Sequence, residues 1–248
     1  MEKPLTTAEV PPQFLKAVYM VGHVPSKALP SDPRVSYRLY IPPEKYKTSA
    51  ENNHGSGLGK LLLLVYVHGT RRDTSALHGE LAALAEATPC AVVAPLFPSG
   101  LDGPNDLDSY KLLRSATLRY DTALLSILDE AAQRWPGIRT DRVFLMGYSG
   151  GAQFALRFLY LHPERLASVS LGAPGLVMFL DDTQTWPVGT ADVESLFGRT
   201  IDKDAIRGLE IQLVVGGADV TIPGGSREFW DWLGEMRARR GGTEAEVS

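Results

Sequence analysis

The chain alternates between short unbroken apolar runs and longer stretches in which apolar residues recur every three or four positions. Lys60–Gly69 (KLLLLVYVHG) and Cys90–Phe97 (CAVVAPLF) are continuous apolar runs, the pattern of strands buried on both faces of a sheet. Arg34–Pro42 (RVSYRLYIP) instead places Val35, Tyr37, Leu39 and Ile41 on one face and Ser36, Arg38 and Tyr40 on the other, which predicts a half-buried strand near a sheet edge. Val143–Met146, Leu166–Leu171 and Ile211–Val215 read as further strands. Helical spacing appears in Asp73–Thr88 through Leu77, Leu81, Leu84 and Ala85, and in Ser115–Trp135 through Tyr120, Leu124, Ile127, Leu128 and Ala131. It recurs in Ala152–His162 and in Ser226–Arg240, where Phe229, Trp230 and Leu233 form the inner face. Pro89 and Pro163 stop two of these helices. Phe14–Val24 fits a short helix or an edge strand equally well, and Gly175–Gly208 is irregular apart from a short helix at Asp192–Phe197.

Strands alternating with helices imply an α/β fold: a mostly parallel central sheet with helices on both faces and a ligand site at the carboxyl ends of its strands. The expected organisation is an N-terminal extension over 1–34 and a single domain over 35–248, in which 175–208 forms a lid-like or cap-like insertion. His68-Gly69, Ser149 and Asp219 all fall just after apolar runs, where such a site belongs.

Gly147-Tyr148-Ser149-Gly150-Gly151 spells G-x-S-x-G between a strand and a helix. This context suits a nucleophile elbow, a tight strained turn whose flanking positions must be glycine because side chains there would strike the adjacent strand and helix. A serine hydroxyl is a poor nucleophile unless a base takes its proton, a carboxylate orients that base, and two backbone N–H groups meet the developing oxyanion. One N–H is expected from Gly150 and the other from the loop after the His68-Gly69 strand, at Thr70 or Arg71, with His68 holding that loop and not acting as the base. Asp219 stands where this order of elements puts the acid, with Asp181 and Asp182 as second choices. No histidine follows Asp219; His23, His54, His68, His78 and His162 all lie upstream. His162 ends the helix that begins at the elbow, on the order of 20 Å from Ser149.

Composition narrows the picture. A chain of 248 residues with 44% hydrophobic positions can bury a core without staples, and a net charge of −4 gives no electrostatic case for nucleic acid. The lone cysteine, Cys90, reads as a buried small hydrophobe, so cysteines supply neither disulfide nor metal cluster, and neither metal nor cofactor is expected. GSGLGK ending at Lys60 looks like a phosphate loop but lacks the Walker spacing and precedes a strand, so it reads as a flexible connection. The first residues carry no apolar leader, and Leu61–Val67 is too short to span a bilayer, which together give the expectation of a cytoplasmic protein without a membrane partner.

At these residues the chain resembles the α/β-hydrolase superfamily over about Pro33–Arg240. More narrowly, it is similar to the small hydrolases encoded beside hybrid polyketide–nonribosomal peptide synthases in filamentous fungi, including those of cytochalasan-type pathways. VGHVPSKAL (21–29), YVHGTRRD (66–73), PLFPSGLDGPNDLDSYK (95–111), GYSGGAQFALRFLYLHPERL (147–166), DVESLFGRT (192–200) and VVGGADV (214–220) carry the likeness. The resemblance implies an α/β-hydrolase fold and acyl transfer on an ester, thioester or amide of a secondary-metabolite intermediate. Ser149 would be the nucleophile, Asp219 the acid, and Gly150, Gly69, Thr70 and Arg71 the oxyanion and substrate contacts. It also implies a catalytic histidine after the last helix. This sequence departs from the pattern there, and the expectation is a fold lacking its last strand and helix. A non-hydrolytic protein of the same fold, binding an apolar intermediate and assisting its cyclisation or release, is the alternative. Leu176, Met178, Phe179, Trp186 and Phe197 are candidates for an acyl pocket, or else plain core.

Overall fold

The computed structural model describes residues 4–48 and 59–217. The chain divides into two compact units, Met1–Val214 and Val215–Ser248, and the fold described is that of the first. Asp219, His54 and the expected helix Ser226–Arg240 lie outside the described residues.

Seven strands form one sheet: β1 (Gly22–Leu29), β2 (Asp32–Ile41), β3 (Leu62–Val67), β4 (Cys90–Leu96), β5 (Val143–Tyr148), β6 (Leu166–Gly172) and β7 (Glu210–Val214), in the spatial order β1-β2-β4-β3-β5-β6-β7. β1, β2 and β4 pair antiparallel, and β4, β3, β5, β6 and β7 run parallel. The helices are α1 (Glu80–Ala87), α2 (Tyr120–Arg134), α3 (Gly150–Leu161), α4 (Val193–Phe197) and α5 (Lys203–Arg207).

The apolar runs are continuous because the central strands feed two cores at once. Along β3, Leu63, Val65 and Val67 join the cluster under α2 and α3, and Leu64 joins the one under α1. Along β4, Ala91 and Val93 face the first core, while Cys90, Val92 and Ala94 face the second. The alternation read in β2 holds: Val35, Tyr37, Leu39 and Ile41 are fully buried in the first core. Cys90 is a free, buried thiol, and burial raises its pKa to about 11, so it is inert packing.

Residues 22–29, read within the N-terminal extension, form the outer strand of the sheet. The helix expected over Asp73–Thr88 is interrupted: a 3-10 turn at Ser75–His78 precedes α1, and Gly79 separates them. Within 175–208, α5 accompanies the expected α4. This segment packs on α3: the Tyr160 hydroxyl donates to the Met178 carbonyl at 3.0 Å, and Arg157 Nη2 donates to that of Pro187 at 3.2 Å. All twelve residues of α3 are consequently buried, which explains why its sequence is apolar nearly all round.

Candidate active site

Ser149 sits between β5 and α3 with φ 53° and ψ −116°, a backbone conformation that costs an ordinary residue on the order of 1–3 kcal/mol. Its N–H donates to the Gly172 carbonyl at 2.8 Å, which ties the turn to the end of β6. The flanking glycines are required by contact. A Cβ on Gly147 would lie 2.2 Å from the Gly151 carbonyl oxygen, and one on Gly151 would lie 2.1 Å from that of Val67. The helix therefore starts against β3 at a distance only glycine allows. Its first amide, that of Gly150, has no hydrogen-bond partner among the described residues.

The loop after β3 comes to the same place. Thr70 Oγ1 is 3.0 Å from where a Gly150 Cβ would stand. The Gly69 carbonyl accepts from His68 Nδ1–H at 2.9 Å and from the Arg72 amide at 3.0 Å. In a trans peptide the N–H points opposite to the C=O, so those two bonds also fix the direction of the Thr70 N–H, which has no partner among the described residues.

His68 is fully buried, and its protonation follows from its partners. Nε2 accepts the Phe97 N–H at 3.1 Å, so Nδ1 carries the proton it gives to Gly69. Burial lowers its pKa to about 4, against the bond to Gly69 and with the Arg72 charge, so the ring is neutral with both nitrogens engaged. It holds the loop and is not free to act as a base. His162 Nε2–H donates to Asp121 Oδ2 at 3.0 Å, at the far end of α3, where Arg119 Nη2 also donates to Asp121 at 2.8 Å. Burial pushes the Asp121 pKa up, but the bonds from His162 and Arg119 outweigh it and the net shift is downward. His23 and His78 lie together, ring centroids 4.9 Å apart, with Arg38 Nη1 3.3 Å from His78 Nε2. His23 is on β1, four strands from β5 and so roughly 19 Å across the sheet from the elbow.

Of the two adjacent arginines after Thr70, Arg71 is exposed and Arg72 turns inward at φ 57°. The Arg72 guanidinium donates to the carbonyls of Phe97 (3.1 Å), Thr70 (3.0 Å), Pro98 and Leu107 (3.3 Å each) and lies 4.9 Å over the Tyr110 ring. It pins the β3 loop to the 98–109 loop. Sequence reasoning missed it, since nothing in R-R says which side chain faces in. Tyr110, Lys111 and Asp108 were missed too, because they lie in a loop without periodicity. The pocket candidates separate: Met178 and Phe197 are buried, and Trp186 packs at 4.6 Å on Phe197 while its Nε1–H donates to Leu112, so these three are core. Leu176 and Phe179 are exposed, as are Val177 and, next to the nucleophile position, Tyr148.

No protein-family model and no curated protein matches the sequence. Solved structures do. The poly(3-hydroxybutyrate) depolymerase LpqC of Bordetella parapertussis is 17% identical with a TM-score of 0.61, over 94% of this chain and 85% of its own. Poly(aspartic acid) hydrolase-1 of Sphingomonas sp. KT-1 is 16% identical with a TM-score of 0.58, over 85% of this chain and 84% of its own. The S-formylglutathione hydrolase FrmB of Staphylococcus aureus is 14% identical with a TM-score of 0.51, over 89% and 87%. With the sheet order and elbow, these likenesses establish the fold as that of the α/β-hydrolases. Among the described residues no helix is long and apolar enough to cross a membrane, and no cluster of His, Cys, Asp and Glu could hold a metal ion.

Proposed function

We propose that the chain is a serine hydrolase acting by acyl transfer on an ester, thioester or amide, with Ser149 as nucleophile. The observation that carries this is the Ser149 backbone, held at positive φ on a glycine-flanked turn beside two amides without partners among the described residues. Gly150 and Thr70 donate to the oxyanion, Gly69 shapes their loop, Arg71 contacts substrate from the surface, and Asp219 is the orienting acid. The exposed apolar side chains Tyr148, Leu176, Val177 and Phe179 suit a bulky apolar acyl group. The substrate proposed is a small-molecule polyketide–peptide intermediate of a fungal secondary-metabolite pathway, met in the cytoplasm.

One observation favours a second reading, a non-hydrolytic protein of this fold that binds such an intermediate and assists its cyclisation or release. His68 and His162 are committed to other partners, and His23 and His78 lie together away from the elbow. A fluorophosphonate probe separates the two. The hydrolase reading expects labelling at Ser149 that disappears in Ser149→Ala; a folded wild-type chain that stays unlabelled sinks it in favour of the second.

A further inference from the structure

The space a side chain on Gly150 would fill is already occupied. A Cβ there would lie 2.4 Å from the Tyr110 hydroxyl, 2.9 Å from Lys111 Cε and 3.0 Å from Thr70 Oγ1. Lys111 is thus no ordinary surface lysine: its side chain is 11% exposed and its Cε packs against Gly150, the first residue of α3. Its main chain is fixed at both groups, the N–H donating to the Asp108 carbonyl at 2.8 Å and the carbonyl accepting from Arg157 Nη1 at 3.3 Å. Its ammonium is paired with Asp108 Oδ1 at 2.5 Å.

The Asp108 charge is also felt by a second cation. The Arg157 guanidinium is buried, feels the Asp108 charge, and spends its own hydrogen bonds on the carbonyls of Lys111, Gln153 and Pro187. The Lys111–Asp108 pair therefore stands at the N-terminal turn of α3, where the helix dipole is positive, with the Arg157 charge adding to it from further along the helix. Gathering positive charge there opposes folding, and a group that becomes negative at that spot relieves it. An ammonium has no lone pair to take the Ser149 proton, so base catalysis is the wrong role for it.

We propose that Lys111 is the charged member of the oxyanion hole, its ammonium aimed by Asp108 to stabilise the acyl oxygen as negative charge develops on it beside the Gly150 and Thr70 amides. This rests on the reading of Ser149 as nucleophile. Asp108 is the positioning residue.

The test uses the full chain with an alkyl fluorophosphonate. Ser149 Oγ bonds phosphorus, the P–F bond breaks, fluoride leaves with the electron pair, the hydroxyl proton passes to solvent, and the phosphoryl oxygen occupies the oxyanion position. Lys111→Met should slow the second-order labelling rate by about 10²–10³-fold, the scale of one lost oxyanion donor, while Lys111→Arg recovers most of it. With 4-nitrophenyl butyrate the loss should fall on kcat and leave KM within about threefold. Asp108→Asn, which keeps the shape of the loop, should slow labelling by roughly tenfold, and it serves as the deciding variant if Lys111→Met does not fold. A wild-type chain that labels, with either folded variant labelling at the wild-type rate or losing only KM, overturns the role of Lys111 alone. A folded wild-type chain that does not label overturns the nucleophile reading and this proposal with it.

Discussion

His68 has a fully buried imidazole, with Nε2 accepting from Phe97 and Nδ1–H donating to Gly69. The unfolded ring titrates near 6.5 and the folded one near 4, so on acidification the unfolded state takes up the proton first. The stability contributed by the neutral ring is complete above pH 6.5 and is lost as pH falls toward 4, by about 3 kcal/mol in all. His68→Asn keeps a donor for Gly69 but loses the acceptor for Phe97. It should be less stable than wild type by about 1–3 kcal/mol at pH 7.5 in urea unfolding, and that gap should narrow at pH 4.5. An unchanged gap at the two pH values would refute the linkage. At this scale the sequence indicated that a histidine before Gly69 holds the loop, because its position after a buried strand leaves it little solvent. It did not distinguish Arg71 from Arg72, since a positive φ at one residue decides which guanidinium turns inward.

The β5–turn–α3 unit works by close backbone approach. Gly151→Ala would put a Cβ 2.1 Å from the Val67 oxygen, where neither β3 nor α3 has a flexible side chain to move aside. The expected cost is about 1–3 kcal/mol, a fall of several degrees in Tm, together with lost labelling of Ser149 because the turn shifts as a body. A variant with wild-type Tm and labelling would show that α3 stands off β3 in solution. This element was legible from sequence because its requirement is local: glycines at fixed spacing between an apolar run and a helix. β1 was not. A register shift between Val24 and Lys27, at Pro25, breaks the alternation, and only Val24 and Leu29 are buried in a strand at the sheet edge. α5 escaped for a different reason. It has five residues, one of them buried (Ile206), and its start rests on the Asp202 carboxylate accepting the Asp204 and Ala205 amides, a cap too short to leave a period.

Across the whole unit, the N-terminal segment is joined to the far end of α2 through Trp135. Its ring is 1% exposed and its Nε1–H donates to the Met20 carbonyl at 2.7 Å, a bond between residues 115 positions apart. Trp135→Phe should cost about 1–3 kcal/mol by leaving that carbonyl unsatisfied, and should raise amide exchange in residues 15–29 before the rest of the sheet. Uniform exchange across all strands would mean that the segment is not held at this point.

The sequence by itself determined the alternation of strands and helices, the two-faced burial of β3 and β4, and the elbow at Ser149, because each is written in spacings of two, of three to four, or of glycine against a buried strand. Only the tertiary structure decided which strand lies beside which, and with it the neighbours of the elbow. The antiparallel edge of β1 and β2, the inward turn of Arg72, and the meeting of Thr70, Tyr110 and Lys111 at Gly150 join residues up to eighty positions apart. Such meetings are set by packing around a shared core, which no local pattern along the chain records.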